Sequence, residues 1–316
     1  MKFIDLFAGI GWIRIWFESA WFECVFSNDF DKYCKITFDT NFSDFFENKH
    51  EMILWDIRDI NSQDIPEFDI LTWWFPCQPF SIAWHRQWFD DKNNRWNLFF
   101  DIIRILSQKK PKAFLLENVK NLKTHDNWNT IKVIYEELEK LGYKVTDKVL
   151  NTMEYGNIPQ NRERIYIVWF LDESAYNRFS FPDKIPLTKT IHDCLEKNVD
   201  DKYYYNNKSL YEKLKDSVID KKTVYQRRRQ YVRENKNKVC PTLTANMGTW
   251  WHNVPIILDN KWIRKLTPRE CANFQWFPSD YQLPNIVDSQ LYKQFWNSVS
   301  IPVVKRVAEN MKFALL

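Results

Sequence analysis

The chain has 316 residues, 45 Lys+Arg against 41 Asp+Glu for a net charge of +4, and 45% hydrophobic residues. That balance excludes a disordered tail, a collagen-like fibre and a low-complexity linker. No apolar run reaches the ~18 residues of a membrane span and no signal-peptide pattern opens the chain, so a cytoplasmic protein of about two domains without membrane contact is expected. Residues 2–7 read as a short apolar strand, followed by the loop Ala8-Gly9-Ile10-Gly11 and a helix-like stretch to about Ala20. Residues 22–28, 69–72, 113–117 and 164–170 read as further strands. Residues 97–109 and 130–141 carry apolar stripes at helical spacing, the second stopped by Gly142. Alternating strands and helices predict a doubly wound, mostly parallel α/β sheet. Composition changes after about residue 171. Residues 201–240 hold 12 Lys+Arg against 5 Asp+Glu, with six tyrosines interleaved. Such a segment is either a phosphate-contacting surface or a solvated face, and the sequence favours neither.

Several residues in this frame could carry chemistry. A glycine loop after the first strand lets a ligand approach the backbone, and an acid near 20 positions on, here Asp29, can bind a ribose hydroxyl. Asp56 follows a third candidate strand and could meet an adenine edge. Gly9-x-Gly11 alone is also an ordinary tight turn. A nicotinamide site is disfavoured because Arg14 stands where the third glycine of that fingerprint would fall. Cys77, in Phe75-Pro76-Cys77-Gln78-Pro79, is presented between prolines at the end of a strand, where a thiolate could act as a nucleophile. Cys24 and Cys34 read as buried apolar residues, no Cys/His group has metal spacing, and no disulfide framework or metal is expected. Glu117 ends an apolar strand and could serve as an acid, although a surface ion pair is the commoner fate of such a residue. Arg162 and Arg164, in Gln160-Asn161-Arg162-Glu163-Arg164, could hold a carbonyl oxygen or a phosphate, or form a surface charge run.

Taken in order, these blocks resemble the bacterial DNA (cytosine-5) methyltransferases over nearly the whole chain. The resemblance includes Asp5 to Gly11, Pro76-Cys77-Gln78, Glu117-Asn118-Val119, Gln160-x-Arg162-x-Arg164, Arg264 to Cys271, and Gln294-Phe295-Trp296-Asn297-Ser298-Val299. It implies an S-adenosylmethionine-dependent fold with a catalytic domain over 1–171, a target-recognition domain over 172–285, and a segment 286–316 returning to the catalytic domain. It implies Cys77 as the nucleophile that attacks cytosine C6, Glu117 at N3 and the exocyclic amine, and Arg164 with Arg162 at O2. The cofactor positions would be Phe7, Gly9, Gly11, Asp29, Phe30, Asp56, Ile57, Asn297 and Ser298, and a loop over 80–95 would close on a flipped base. Cys240-Pro241-Thr242-Leu243-Thr244-Ala245 resembles the Thr-Leu element of the recognition region. Arg227, Arg228, Arg229, Arg233, Thr242 and Leu243 are the expected DNA contacts. The implied partners are double-stranded DNA and a cognate restriction endonuclease, with the enzyme a monomer. An RNA-directed relative of the same chemistry and a catalytically inactive DNA-binding protein are the alternatives.

One ratio departs from the pattern. There are five glycines and sixteen tryptophans, together 21 of 316, close to the share of about 7% that glycine alone usually takes. The family has glycine where this chain has Trp12, Trp55, Trp74, Trp96, Trp276 and Trp296. Trp128 follows Asn127 where an Asn-Gly turn is natural, and Ala20-Trp21-Phe22 matches the context of Leu141-Gly142-Tyr143. Bulky side chains at such positions would cripple both fold and cofactor loop. Either UGA codons decoded as glycine in the source cell have been written as tryptophan, or the residues were substituted deliberately.

Overall fold

The computed structural model describes residues 1–42, 51–74, 97–228, 230–244, 247 and 253–316. Two compact units divide the chain. Unit 1 holds Met1–Leu150, Glu163–Pro182 and Val304–Leu316; unit 2 holds Asn151–Arg162 and Asp183–Val303. In chain order the elements are β1 (Lys2–Leu6), α1 (Trp12–Ser19), β2 (Glu23–Asp29), α2 (Lys32–Phe42), β3 (Ile53–Leu54), β4 (Ile70–Trp74), α3 (Asn97–Lys109), β5 (Ala113–Val119), α4 (Asn129–Lys140) and β6 (Lys144–Asn151). They continue with α5 (Thr152–Tyr155), β7 (Gln160–Asn161), β8 (Glu163–Phe170), α6 (Glu173–Arg178), α7 (Tyr211–Leu214), β9 (Tyr225–Arg227), β10 (Val232–Glu234) and β11 (Cys240–Pro241). The last are β12 (Pro255–Leu258), β13 (Ile263–Lys265), α8 (Pro268–Asn273), α9 (Asp288–Asn297) and α10 (Ile301–Leu315).

Among the described residues, unit 1 is built on one sheet in the order β3-β2-β1-β4-β5-β8-β6. β3, β2, β1, β4 and β5 run parallel to their neighbours, and β8 pairs antiparallel with β5. Side chains alternate between the faces of a strand. Leu6, Leu71, Trp73, Leu116 and Ile167 join Phe99, Ile102 and Leu106 of α3 and Ile134 and Leu138 of α4 in one core. Phe3, on the alternate position of β1, meets Phe17 of α1 with ring centroids 5.0 Å apart. Helices therefore cover both faces of a mostly parallel sheet, as the alternation of elements implied. The strand order reverses between β1 and β4, and the crevice outside the carboxyl ends of such strands is where ligands bind.

Unit 2 contains an antiparallel sheet in the order β10-β9-β12-β13. Its core gathers Tyr205, Leu210, Leu214, Val218, Tyr225, Ile256 and Ile263. Tyr203 and Tyr204 are buried as well. Most tyrosines of the basic segment are thus core residues rather than a phosphate-contacting surface. Lysines lie on the rings: Lys208 Nζ is 5.4 Å from the Tyr205 centroid and Lys261 Nζ 5.0 Å from that of Tyr204. Tyr231 stays exposed. Arg264 of β13 is fully buried and bonds Glu270 through two nitrogens, each at 2.7 Å, and Asp259 at 2.6 Å.

Three helix ends close in the same way. After α4, Gly142 N donates to Glu139 O and Tyr143 N to Leu138 O, with Gly142 at φ +93°. After α1, Trp21 N donates to Glu18 O and Phe22 N to Phe17 O, with Trp21 at φ +66°. After α8, Trp276 N donates to Asn273 O and Phe277 N to Ala272 O, again at φ +66°. This is the paired-bond helix terminus whose left-handed residue is ordinarily glycine. A β-carbon there costs about 1–2 kcal/mol.

Candidate active site

The turn after β1 is held by its backbone. Ala8 N donates to Asn28 O and Gly11 N to Ala8 O, both at 2.9 Å, and Gly9 N donates to Asp29 Oδ2 at 2.8 Å. Asp29 ends β2, so the parallel pairing of β1 with β2 brings it to the loop. Its other oxygen accepts from Asp31 N at 2.8 Å. Burial raises the Asp29 carboxyl, and the N–H groups of Asp31 and Gly9 oppose the rise. Gly11 lies at φ +79°, and a β-carbon on it would fall 2.2 Å from the Phe42 ring. Phe7 takes φ +60° and is buried. Phe30, next to Asp29, is 68% exposed, an open aromatic face beside an acid. Asp56 caps the turn after β3 by accepting from Arg58 N at 3.0 Å and pairs with the Arg58 guanidinium, which holds its carboxyl below the usual range. Ile57 is buried, and its carbonyl accepts from Arg104. Unit 1 thus gathers Phe7, Gly9, Gly11, Asp29 and Phe30 on one turn. The buried Trp12 ring also lies there, with Nε1 3.6 Å from where a Gly9 β-carbon would stand.

Asp5, which sequence reasoning passed over as a strand residue, joins β1 to β4 at the reversal of strand order. It is fully buried, with Oδ1 3.0 Å from Thr72 Oγ1, itself 3.1 Å from Ile4 O. Thr72 has one hydroxyl proton and the Ile4 carbonyl can only accept. That proton is shared between the Ile4 carbonyl and Asp5 Oδ1, and Asp5 Oδ2 is buried with no hydrogen-bond partner. Burial pushes the Asp5 carboxyl up to about 8, Asp29 adds to the rise, and the Thr72 hydrogen bond and Arg14 oppose it. The signal was available: Asp5 stands in the otherwise apolar strand Phe3-Ile4-Asp5-Leu6.

Glu117 and Arg164 meet because β8 is antiparallel. Val119 lies opposite Arg164 and Glu117 opposite Tyr166, so the two side chains are diagonal neighbours on one face. Arg164 Nε is 3.2 Å from Glu117 Oε1, and the Glu117 side chain is 2% exposed. Arg164 also donates to Glu163 O at 2.9 Å. A buried carboxyl against a fixed guanidinium at the carboxyl edge of the parallel strands can hold or give a proton to a ring nitrogen. Cys77, residues 80–95 and Arg229 lie outside the described residues. The five described cysteines are buried; burial pushes the Cys24 and Cys194 thiols up to about 12 and raises those of Cys240 and Cys271, so these four are not poised as nucleophiles.

Arg162, Asn297 and Ser298 belong to unit 2. Arg162 is buried and donates to Trp296 O at 3.0 Å and to Ser298 O, which ties the Gln160–Arg162 run to the end of α9. β11 pairs with β7, Cys240 opposite Gln160, and Thr242 Oγ1 donates to Asn161 O at 2.7 Å. The Thr-Leu element is therefore bonded to the strand that leads into Arg162. Leu243 is 1% exposed, its side chain packed within the loop. In the β9–β10 hairpin, Arg228 N donates to Tyr231 O and its Nη1 to Asn253 Oδ1, each at 2.7 Å. Arg227 is half-buried and Arg233 exposed.

Comparison with known proteins fits this arrangement. The Type II methyltransferase M.Bsp6I of Bacillus sp. (strain RFL6) is 49% identical over 321 residues, covering 100% of both chains. M.HhaI of Haemophilus parahaemolyticus, also named a Type II methyltransferase, is 37% identical over 100% of this chain and 95% of its own. Among solved structures, the Dnmt2 methyltransferase of S. pombe superposes with a TM-score of 0.75 at 19% identity, over 100% of this chain and 99% of that one, a likeness of fold. The profile of the C-5 cytosine-specific DNA methylases matches residues 1–313, and the chain belongs to that family.

Proposed function

We propose that this chain is the modifying half of a Type II restriction–modification pair. It is a DNA (cytosine-5-)-methyltransferase, acting in the cytoplasm as a monomer on a cytosine flipped out of double-stranded DNA. DNA cytosine-5 methylation follows from family membership. The pairing with an endonuclease rests on the Type II names of relatives that the chain matches end to end. The observation that carries the chemistry is the buried Glu117–Arg164 pair.

Cytosine C5 is a weak nucleophile. The Cys77 thiolate adds to C6 and makes it a stronger one. Glu117 faces N3 and the exocyclic amine and holds the proton that offsets the added charge. Arg164, with Arg162 two residues before it in the chain, holds O2. Cys77 leaves C6 once the C5 proton is lost. Gly9, Gly11, Asp29, Phe30 and Asp56 would hold S-adenosylmethionine, with Phe7 and Ile57 supporting the turns; Asn297 and Ser298 are cofactor positions by the family resemblance alone. Asp29 and the open Phe30 ring fit a nucleoside; Trp12 against Gly9 does not. When bound, this cofactor supplies an electrophilic methyl group for C5. Unit 2 carries target recognition, with Arg227, Arg228, Arg229, Arg233 and Thr242 on the DNA.

Bisulfite sequencing of plasmid DNA from cells expressing the chain with glycine at the sixteen tryptophan positions tests this. The expected result is protected cytosines within one short recurring site, lost in Cys77→Ser. Unprotected DNA from folded protein that binds S-adenosylmethionine would overturn it.

A further inference from the structure

Tryptophan occupies positions in this chain that share no environment. Trp21 and Trp276 close helices at positive φ with the hydrogen bonds that Gly142 makes after α4. Trp128 sits at φ +74° ahead of α4, the third left-handed residue in succession after Asp126 and Asn127. Trp21 is 83% exposed, an indole spread on solvent at a turn that needs no side chain. Trp16 and Trp169 have the opposite fault, because each buries its indole N–H without a hydrogen-bond partner. Trp12 lies over the Gly9 backbone that a ligand must approach.

No one structural role joins an exposed helix terminus, a helix interior, a central strand and a ligand loop. Glycine accepts the positive φ of the helix ends and leaves the ligand loop uncovered, and within the helix and the strand it removes the unsatisfied indole N–H, at a cost in chain entropy of about 0.5–1 kcal/mol each. A common cause lies in the codon. UGA is read as tryptophan in some cells and as glycine in others. A gene of the second kind, read by the first rule, places tryptophan wherever glycine was encoded by UGA and leaves glycines from other codons in place. The five remaining glycines and the combined count of 21 fit that rule.

We propose that the functional protein carries glycine at all sixteen tryptophan positions, UGA being its glycine codon, and that residue 12 is thereby a third glycine of the turn formed by Gly9 and Gly11. The protein purified from its own cells, measured by intact mass and fluorescence, tests this independently of its activity. The expected mass is below 38.6 kDa by sixteen indolylmethyl groups, with tyrosine emission alone. A mass of 38.6 kDa with tryptophan emission overturns the proposal. In recombinant chain bearing the sixteen tryptophans, Trp21→Gly and Trp276→Gly should each raise the folding equilibrium constant by about 5- to 30-fold. Gly142→Trp in the glycine-containing chain should lower it by a similar factor. Unchanged or reversed equilibria would show that indoles belong at these helix ends and overturn the proposal.

Discussion

Between pH ~4 and ~8 an unfolded Asp5 gives up its proton, whereas the folded residue, buried against Thr72 and Ile4, keeps it until about pH 8. The folded state then binds more protons than the unfolded one, so stability falls as pH rises, by up to about 1.4 kcal/mol per pH unit from this group alone. Below the ordinary carboxylate value of 3.8 the penalty is absent. Asn keeps the shape and the oxygen that accepts from Thr72, without a proton to lose. In the glycine-containing chain, Asp5→Asn should raise the urea midpoint at pH 7–8 and leave it unchanged near pH 4. A shift of equal size at both ends of that range would mean that Asp5 is not protonated in the fold. At this scale the sequence exposed Glu117, Asp29 and Gly11 by their positions at strand ends. It did not expose the Asp5–Thr72 bond, because 67 residues separate the partners and only the parallel pairing of β1 with β4 joins them.

Elements with a strong period were legible: α3 spans 97–109 as its apolar stripe implied, and α4 ends at Lys140, just ahead of Gly142. β6 was not, since its side chains are mostly half-buried and show no clean alternation. The antiparallel sense of β8 was not legible either. A strand buried on both faces reads the same in either direction, yet that sense is what brings Arg164 to Glu117. Unit 2 hid its strands of two to four residues in a polar stretch, and its tyrosines passed for surface. What holds β13 to α8 is a charge cluster. Glu270 accepts from Arg264 at both oxygens, from Thr267 N and from Glu196 N, and caps α8 reciprocally with Thr267. Removing it takes the carboxylate from Nη1 and Nη2 of a guanidinium that is 1% exposed and leaves Asp259 at Nε as its remaining carboxylate. Glu270→Ala should cost about 3–5 kcal/mol in urea unfolding, while Glu270→Gln, which keeps the capping acceptor, should cost less. Equal losses would place the effect in packing rather than in charge.

The molecule's charge is unevenly distributed: residues 201–240 carry a net +7 within a chain of +4. Phosphate binding scales with cations brought to the backbone, and each one neutralising a phosphate contributes about −0.9 to the slope of log affinity against log salt. The basic segment splits into two kinds of residue by what else holds them. Lys202 and Lys208 lie on tyrosine rings, and Arg228 is tied to Asn253. Arg233 stands exposed on β10, the edge strand of the small sheet. An arginine free to follow the backbone contributes affinity without sequence preference, whereas one fixed within a hairpin can present a donor fork to a base edge. Arg233→Ala should therefore flatten the salt slope by about 1 and weaken cognate and unrelated duplexes alike. Arg228→Ala should reduce the ratio between them, by a factor within the ~1–3 kcal/mol of a base contact. Anisotropy titrations of both duplexes between about 50 and 200 mM salt separate the two effects. An unchanged slope in Arg233→Ala, or an unchanged ratio in Arg228→Ala, would move DNA contact away from this hairpin.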